Sequence, residues 1–131
     1  MATMSGVEVN LMFPCKPDHP FVYWATLSYV GELIMAGANC YTYDNGFLHA
    51  KGLSIDGKAC CYGTANMDIR SFELNFEVNA MIFDQNIAGE MEPIFREDLK
   101  CCTRITKEMY KSRSVWIRFK EQISRLLSPV L

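Results

Sequence analysis

Apolar and polar positions alternate over residues 7–13, where Val7, Val9 and Leu11 interleave with Glu8 and Asn10, the period of a half-buried strand. The stretch "PCKPDHP" breaks that pattern. Beyond it Phe21, Trp24, Ala25, Leu27, Ser28 and Gly31 recur at helical spacing as far as Ala36, with Asp18 and Pro20 as start signals and Gly37 as the stop. Residues 39–43, "NCYTY", read as a short strand that leads through Asp44–Asn45–Gly46 into two further strands, 48–55 and 58–62. Those two are joined by Asp56–Gly57, a pair suited to a tight hairpin. Alternation returns over 74–83, with Leu74, Phe76, Val78, Ala80 and Ile82 on one face and Asn75, Glu77 and Asn79 on the other. From Asp84 the spacing turns helical through Ile87, Met91, Ile94, Phe95, Leu99 and Cys102, with a kink expected at Pro93. A last helical stretch begins near Thr106 and ends in an amphipathic stripe of Trp116, Phe119, Ile123, Leu126 and Leu127.

This order of elements predicts a mixed α/β fold, a central mixed β-sheet flanked by helices, as one domain over residues 1–131. Residues 1–5 read as a cloning remnant, because the strand pattern starts directly after them, and the whole reads as a piece of a longer protein. The stripe at the end of the chain reads as core packing, with contact to anionic lipid through Arg113, Arg118, Lys120 and Arg125 as the alternative.

Composition narrows the class. Half of the 131 residues are hydrophobic, enough to bury a core, which excludes disorder for the bulk of the chain. The formal charge of −2 conceals a division: residues 1–103 carry 6 basic and 13 acidic side chains, and residues 104–131 carry 7 and 2. An acidic body argues against a nucleic-acid surface, which needs a basic stripe. The six cysteines include the adjacent pairs Cys60–Cys61 and Cys101–Cys102 and show no C-x-x-C spacing, so they read as reduced thiols rather than a disulfide framework or a metal site. No apolar stretch approaches the roughly 20 residues that span a bilayer.

The chemistry concentrates in "GFLHAKGLSIDGKACCYGTAN", residues 46–66. His49 and Lys51 are two apart on an expected strand, so both side chains leave one face. The next strand ends in Gly63–Thr64–Ala65–Asn66, where small residues admit a bulky anion and Thr64 and Asn66 offer neutral donors. A histidine nucleophile, a cation and neutral donors together suit a phosphodiester. The imidazole must be neutral to attack, and a carboxylate on its other nitrogen fixes the tautomer and steadies the charged ring. Glu77 is the candidate for that carboxylate. Lys51 and Asn66 would meet the charge growing on the phosphoryl oxygens, so the chemistry calls for no metal or other cofactor.

These residues resemble the signature of the phospholipase D superfamily, H-x-K-x4-D-x6-G-[ST]-x-N, which His49, Lys51, Asp56, Gly63, Thr64 and Asn66 fit at every position. Glu77 stands eleven residues after Asn66, where an acidic residue often orients the histidine in this family. The stretches "KPDHPFVYWATLSYVGELI", "YTYDNGFLHAK", "GTANMDIRSFELNFEVNA" and "WIRFKEQISRLLSPVL" are similar to the C-terminal half of bacterial cardiolipin synthases, from about Gly6 to Leu131. That resemblance implies joining of two phosphatidylglycerol molecules with release of glycerol, through a phosphohistidine intermediate. It further implies an N-terminal half carrying membrane helices and a second motif, a cell-membrane setting for the whole enzyme, and anionic phospholipid at a membrane surface as substrate. His19 has no lysine two residues on, so this chain supplies one motif of the two.

Each residue also has a plainer explanation. Turn chemistry alone accounts for Asp56. Glu77 could be an ordinary strand carboxylate, although Asn75 and Asn79 beside it make a polar row, and Asp68, Arg70 and Ser71 read as braces for the loop after Asn66. Two other functions stay open: a homodimeric phosphodiesterase or nuclease in which two copies each supply a motif, and a module that binds phosphate or headgroup without turnover when isolated.

Overall fold

The computed structural model describes residues 1–16, 20–67 and 69–127. Asp18, read as a helix start signal, His19 and Asp68 lie outside them, and the side chains of Phe21, Arg70 and Leu127 are likewise not described. The expected central sheet is two sheets of three strands, each in its own compact unit: residues 1–48 with 101–131, and residues 49–100.

In the first unit β1 (Asn10–Pro14) runs parallel to β2 (Asn39–Tyr43), and α1 (Pro20–Met35) connects them. Pro20 suits the first helical turn, where a missing N–H leaves nothing unsatisfied. The helix stops at Gly37, whose φ of 101° is open to glycine without strain. Gly37 N–H donates to the Ile34 carbonyl at 3.1 Å and Ala38 N–H to that of Leu33 at 2.9 Å, the paired bonds of a Schellman end. The third strand, β6 (Cys102–Ile105), pairs antiparallel with β2, Cys40 opposite Ile105. Val30, Ile34, Ala38 and Cys40 form the buried core, packed against Val9, Leu11, Phe13, Ile105 and Tyr110.

Strand β6 corrects the expectation of helix as far as Cys102. The helix before it, α3 (Gln85–Leu99), ends at Leu99, and β-branched Thr103 and Ile105 extend to complete the ladder on β2. The first strand also starts later than its alternation suggests, at Asn10 rather than Val7.

The helical stretch from Thr106 divides into α4 (Lys107–Lys111), capped by Thr106 Oγ1 on Met109 N–H at 3.2 Å, and α5 (Val115–Leu127). Helix α5 packs on α1, and it overturns the reading of its stripe as core. Its buried positions among the described side chains are Glu121, 2% exposed, and Ser124, whereas Trp116 is 74% exposed and Leu126 80%. Polar contacts explain the choice of face. Glu121 is ion-paired with Arg113, whose guanidinium also lies 3.2 Å from the centre of the Tyr110 ring, and Arg125 pairs with Glu32 and covers the Tyr29 ring at 4.8 Å. Tyr110 in turn packs directly over Gly31, where an added Cβ would fall 2.0 Å from a ring carbon.

The second unit is a meander, β3 (Gly52–Ile55), β4 (Ala59–Gly63) and β5 (Asn79–Ile82), antiparallel throughout, with α2 (Ile69–Glu73) between β4 and β5. Helix α3 lies on β3 and β4, and Cys60 and Ala88 are buried in this unit. Asp84 caps α3, its Oδ1 accepting from Asn86 N–H at 2.8 Å and Ile87 N–H at 3.1 Å. The expected strand over 74–83 is regular only from Asn79, and Leu74, Phe76 and Val78 face solvent instead of a core.

Candidate functional site

The hairpin that carries the motif turns where the sequence places it. Asp56 and Gly57 have φ of 51° and 61°, and Lys58 N–H donates to the Ile55 carbonyl at 2.9 Å. Positive φ at both central residues is what a type I′ turn requires, and Asp and Gly are among the residues that tolerate it. Asp56 therefore sits at the turn. Lys51 is five residues back along an extended chain, roughly 16 Å away at strand rise. The structure does not bring Asp56 together with the other motif residues.

Those others gather at the opposite end of the hairpin. Gly63 N–H donates to the Lys51 carbonyl at 3.4 Å, which continues the β3–β4 ladder one residue beyond Gly52 and sets Lys51 across from Gly63. Gly63 in turn pairs with Asn79 on β5. The three strands converge there because Gly63 has no side chain: a Cβ would fall 2.2 Å from both the Val78 carbonyl oxygen and Asn79 Oδ1. His49 and Lys51 precede β3 rather than lying within it, His49 exposed and Lys51 half-buried.

Thr64 continues the pairing, its N–H donating to the Val78 carbonyl at 3.0 Å and its Oγ1 accepting from Val78 N–H at 2.9 Å. These bonds bring Glu77 to Thr64. Hydrogen bonds from the hydroxyl of Thr64, the amide of Asn75 and the hydroxyl of Ser71, with attraction from Lys51, hold the Glu77 carboxyl below its ordinary range, so it is charged at neutral pH. Asn75 Nδ2 lies 3.2 Å from Glu77 Oε1. The buried Ser71 also accepts from Asn66 N–H at 3.1 Å, tying the loop after Thr64 to the same carboxylate. Asn79 Oδ1 accepts from Ala65 N–H at 3.4 Å.

One strand end of the second unit thus collects Lys51, Gly63, Thr64 and Glu77, with Asn66 braced beside them through Ser71. Asn75 and Asn79, whose roles the alternation alone leaves open, hold Glu77 and the Gly63–Asn66 loop. Their signal in the sequence is the polar row on either side of Glu77. A cationic side chain and a hydroxyl suit a tetrahedral anion, and the carboxylate balances the lysine; the space over Gly63 is taken by β5, so this glycine serves the approach of the strands rather than the entry of a bulky anion. Among the described residues no cluster of histidine, cysteine and acidic side chains could hold a metal ion. The first unit has a cleft of about 350 Å³ lined by Ile34, Asn39, Arg104 and Lys107, and no motif residue contributes to it.

The mixed α/β fold is that of a phospholipase D-like domain. A family profile described as "Cardiolipin synthase, PLD-like domain" matches residues 1–99, and the chain belongs to that family. It is 56% identical over all 131 residues to the major cardiolipin synthase of Bacillus subtilis (strain 168) and to cardiolipin synthase 1 of Staphylococcus epidermidis (strain ATCC 12228). Identity to the cardiolipin synthase of Listeria monocytogenes serotype 4a is 54%, again over the whole chain. The chain spans 27% of the length of each of these relatives and corresponds to their C-terminal part. No helix among the described residues is long and apolar enough to cross a membrane.

Proposed function

We propose that this chain is the C-terminal catalytic half of a cardiolipin synthase, a phosphatidyltransferase that joins two phosphatidylglycerol molecules at a membrane surface and releases glycerol. The observation that carries the reading is the gathering of Lys51, Gly63, Thr64 and Glu77 at one strand end, two residues from His49, at the spacing of the family signature. The cardiolipin synthase relatives support it.

In this mechanism one imidazole attacks phosphorus in the donor lipid and the bond to the glycerol oxygen breaks. A second imidazole, that of the other motif, gives that oxygen its proton. The acceptor's hydroxyl then passes its proton to the second imidazole and attacks phosphorus, the phosphorus–nitrogen bond breaks, and both histidines return to their starting state. His49 fills one of these two roles. Lys51, Thr64 and Asn66 bind the phosphoryl oxygens, and Glu77 orients the imidazole. No step needs a metal or other cofactor. On this reading the 131 residues alone bind phosphate or headgroup without turnover.

The test uses the longer enzyme that contains this half, incubated with phosphorus-labelled phosphatidylglycerol and quenched in base. A phosphoramidate at His49 assigns it as nucleophile, and one at the other motif's histidine assigns His49 as the acid. His49→Ala should abolish cardiolipin formation with an unchanged circular dichroism spectrum, and near-normal formation would overturn the proposal.

A further inference from the structure

Helix α5 is built the opposite way round from a core helix. At 100° per residue, Val115, Trp116, Phe119, Ile123 and Leu126 fall within an arc of about 100°. Glu121 and Ser124, which are buried, lie on the other side. The helix is already anchored through that polar side, by the Arg113–Glu121 and Arg125–Glu32 pairs. The described residues leave the apolar arc uncovered. All five of its side chains are exposed, and Trp116 and Phe119 meet edge to face at 6.4 Å, forming a continuous aromatic ridge.

The charges around the ridge select its partner. Arg118, which also attracts Glu121, lies beyond one border of the arc, and Lys120, whose Nζ is 5.5 Å from the centre of the Trp24 ring, beyond the other, and α5 carries a single acid, Glu121, on the side facing away. An apolar arc bordered on both sides by cations, with a tryptophan at its edge, fits the boundary between headgroups and acyl chains of an anionic bilayer. A protein partner would find the same apolar area but no use for cations along both edges.

We propose that the Trp116–Leu126 face of α5 is an interfacial docking surface, lying in the plane of an anionic lipid leaflet with its apolar side chains among the upper acyl carbons. This deepens the lipid-substrate reading and rests on it for the presence of an anionic surface. It gives the active half its own grip on the leaflet.

The test uses the 131-residue chain and vesicles of phosphatidylcholine with or without phosphatidylglycerol, which measures binding independently of turnover. A Trp24→Phe variant leaves Trp116 as the sole indole. Its emission should shift to the blue on anionic vesicles and be quenched by acyl chains brominated near the headgroup. Trp116→Ser/Phe119→Ser should weaken co-sedimentation by about tenfold or more with the circular dichroism spectrum retained. Arg118→Gln/Lys120→Gln, at exposed positions, should remove the preference for phosphatidylglycerol and serves as the second variant if the first misfolds. Absent binding, binding undiminished in both variants, or a Trp116 shift that follows protein concentration instead of lipid would overturn the proposal, the last result assigning the ridge to a second copy of the chain. Failure here leaves the phosphoramidate experiment untouched, and failure of that experiment leaves vesicle binding standing.

Discussion

Replacing Gly63 by alanine tests whether the motif glycine is there for the approach of strands. The new Cβ would lie 2.2 Å from the Val78 carbonyl oxygen, 2.2 Å from Asn79 Oδ1 and 2.7 Å from Asn79 Cα. Two of these three atoms are backbone, so no rotamer change clears the space, and β5 must retreat by roughly 1 Å to restore ordinary contact. Overpacking of this kind costs about 1–3 kcal/mol. Gly89, inside α3, is the internal control, because its Cβ would meet nothing within 4 Å. There the same substitution should stabilise by about 0.5–1 kcal/mol through helix propensity. Urea denaturation followed by circular dichroism should therefore separate the two variants by about 1.5–4 kcal/mol with opposite signs relative to the parent. Retreat of β5 also loosens Thr64 from Val78 and Glu77, so in the longer enzyme Gly63→Ala should lower turnover beyond its effect on stability. A Gly63→Ala chain as stable as the parent, or a destabilised Gly89→Ala, would refute the reasoning.

Three further outcomes follow from other contacts. Asp56, at φ 51°, should accept Asn or Gly with little loss of stability, whereas Asp56→Val should lose about 1–2 kcal/mol in thermal unfolding; loss of cardiolipin synthase activity in an Asp56→Asn variant of unchanged stability would show a role for the carboxylate beyond the turn. Because its folded form favours the charged state, Glu77 contributes stability that is complete above the ordinary glutamate range and fades as pH falls through its lowered value. Thr64→Val should raise that titration, read by carboxyl carbon NMR, and an unmoved midpoint would exclude the hydroxyl as its main cause. Burial pushes the Cys40 thiol up to about 11, so a thiol reagent at pH 8 should label exposed Cys101 in the folded chain and reach Cys40 only on unfolding, which mass spectrometry of digests would show; fast labelling of Cys40 would contradict its burial.

The local grammar of the chain was readable where a single residue dictates backbone shape. Gly37 ends α1, Asp56–Gly57 turns the hairpin, and Asp84 caps α3, each because few other residues suit those positions. "NCYTY" is a strand from first residue to last. Long-range partnership was not readable. Cys102–Ile105 continues a helical spacing and becomes a strand only because β2 offers an edge 59 or more residues away. The same blindness affected α5, where the strength of the apolar stripe concealed that Arg113 and Glu32, outside the helix, would claim its polar side. At the site, the spacing of Lys51, Gly63, Thr64 and Asn66 corresponds to one strand end of the folded unit, and Ser71 and Asn75 became braces with assignable partners only once the loop was folded.

The pairing of Lys51 with Gly63 makes the motif a counting device. Side chains on a strand change sides with every residue, so adding one residue to β3 would carry the Lys51 ammonium to the reverse of the sheet, away from Glu77, while leaving every chemical group in place. Adding two would return it to the correct side but displaced by about 7 Å. Lengthening the stretch between the lysine and the glycine is thus tolerable only at the tip, where a longer loop alters no parity. The interval between the lysine and the glycine is set by the ladder, independently of any ligand at the strand end.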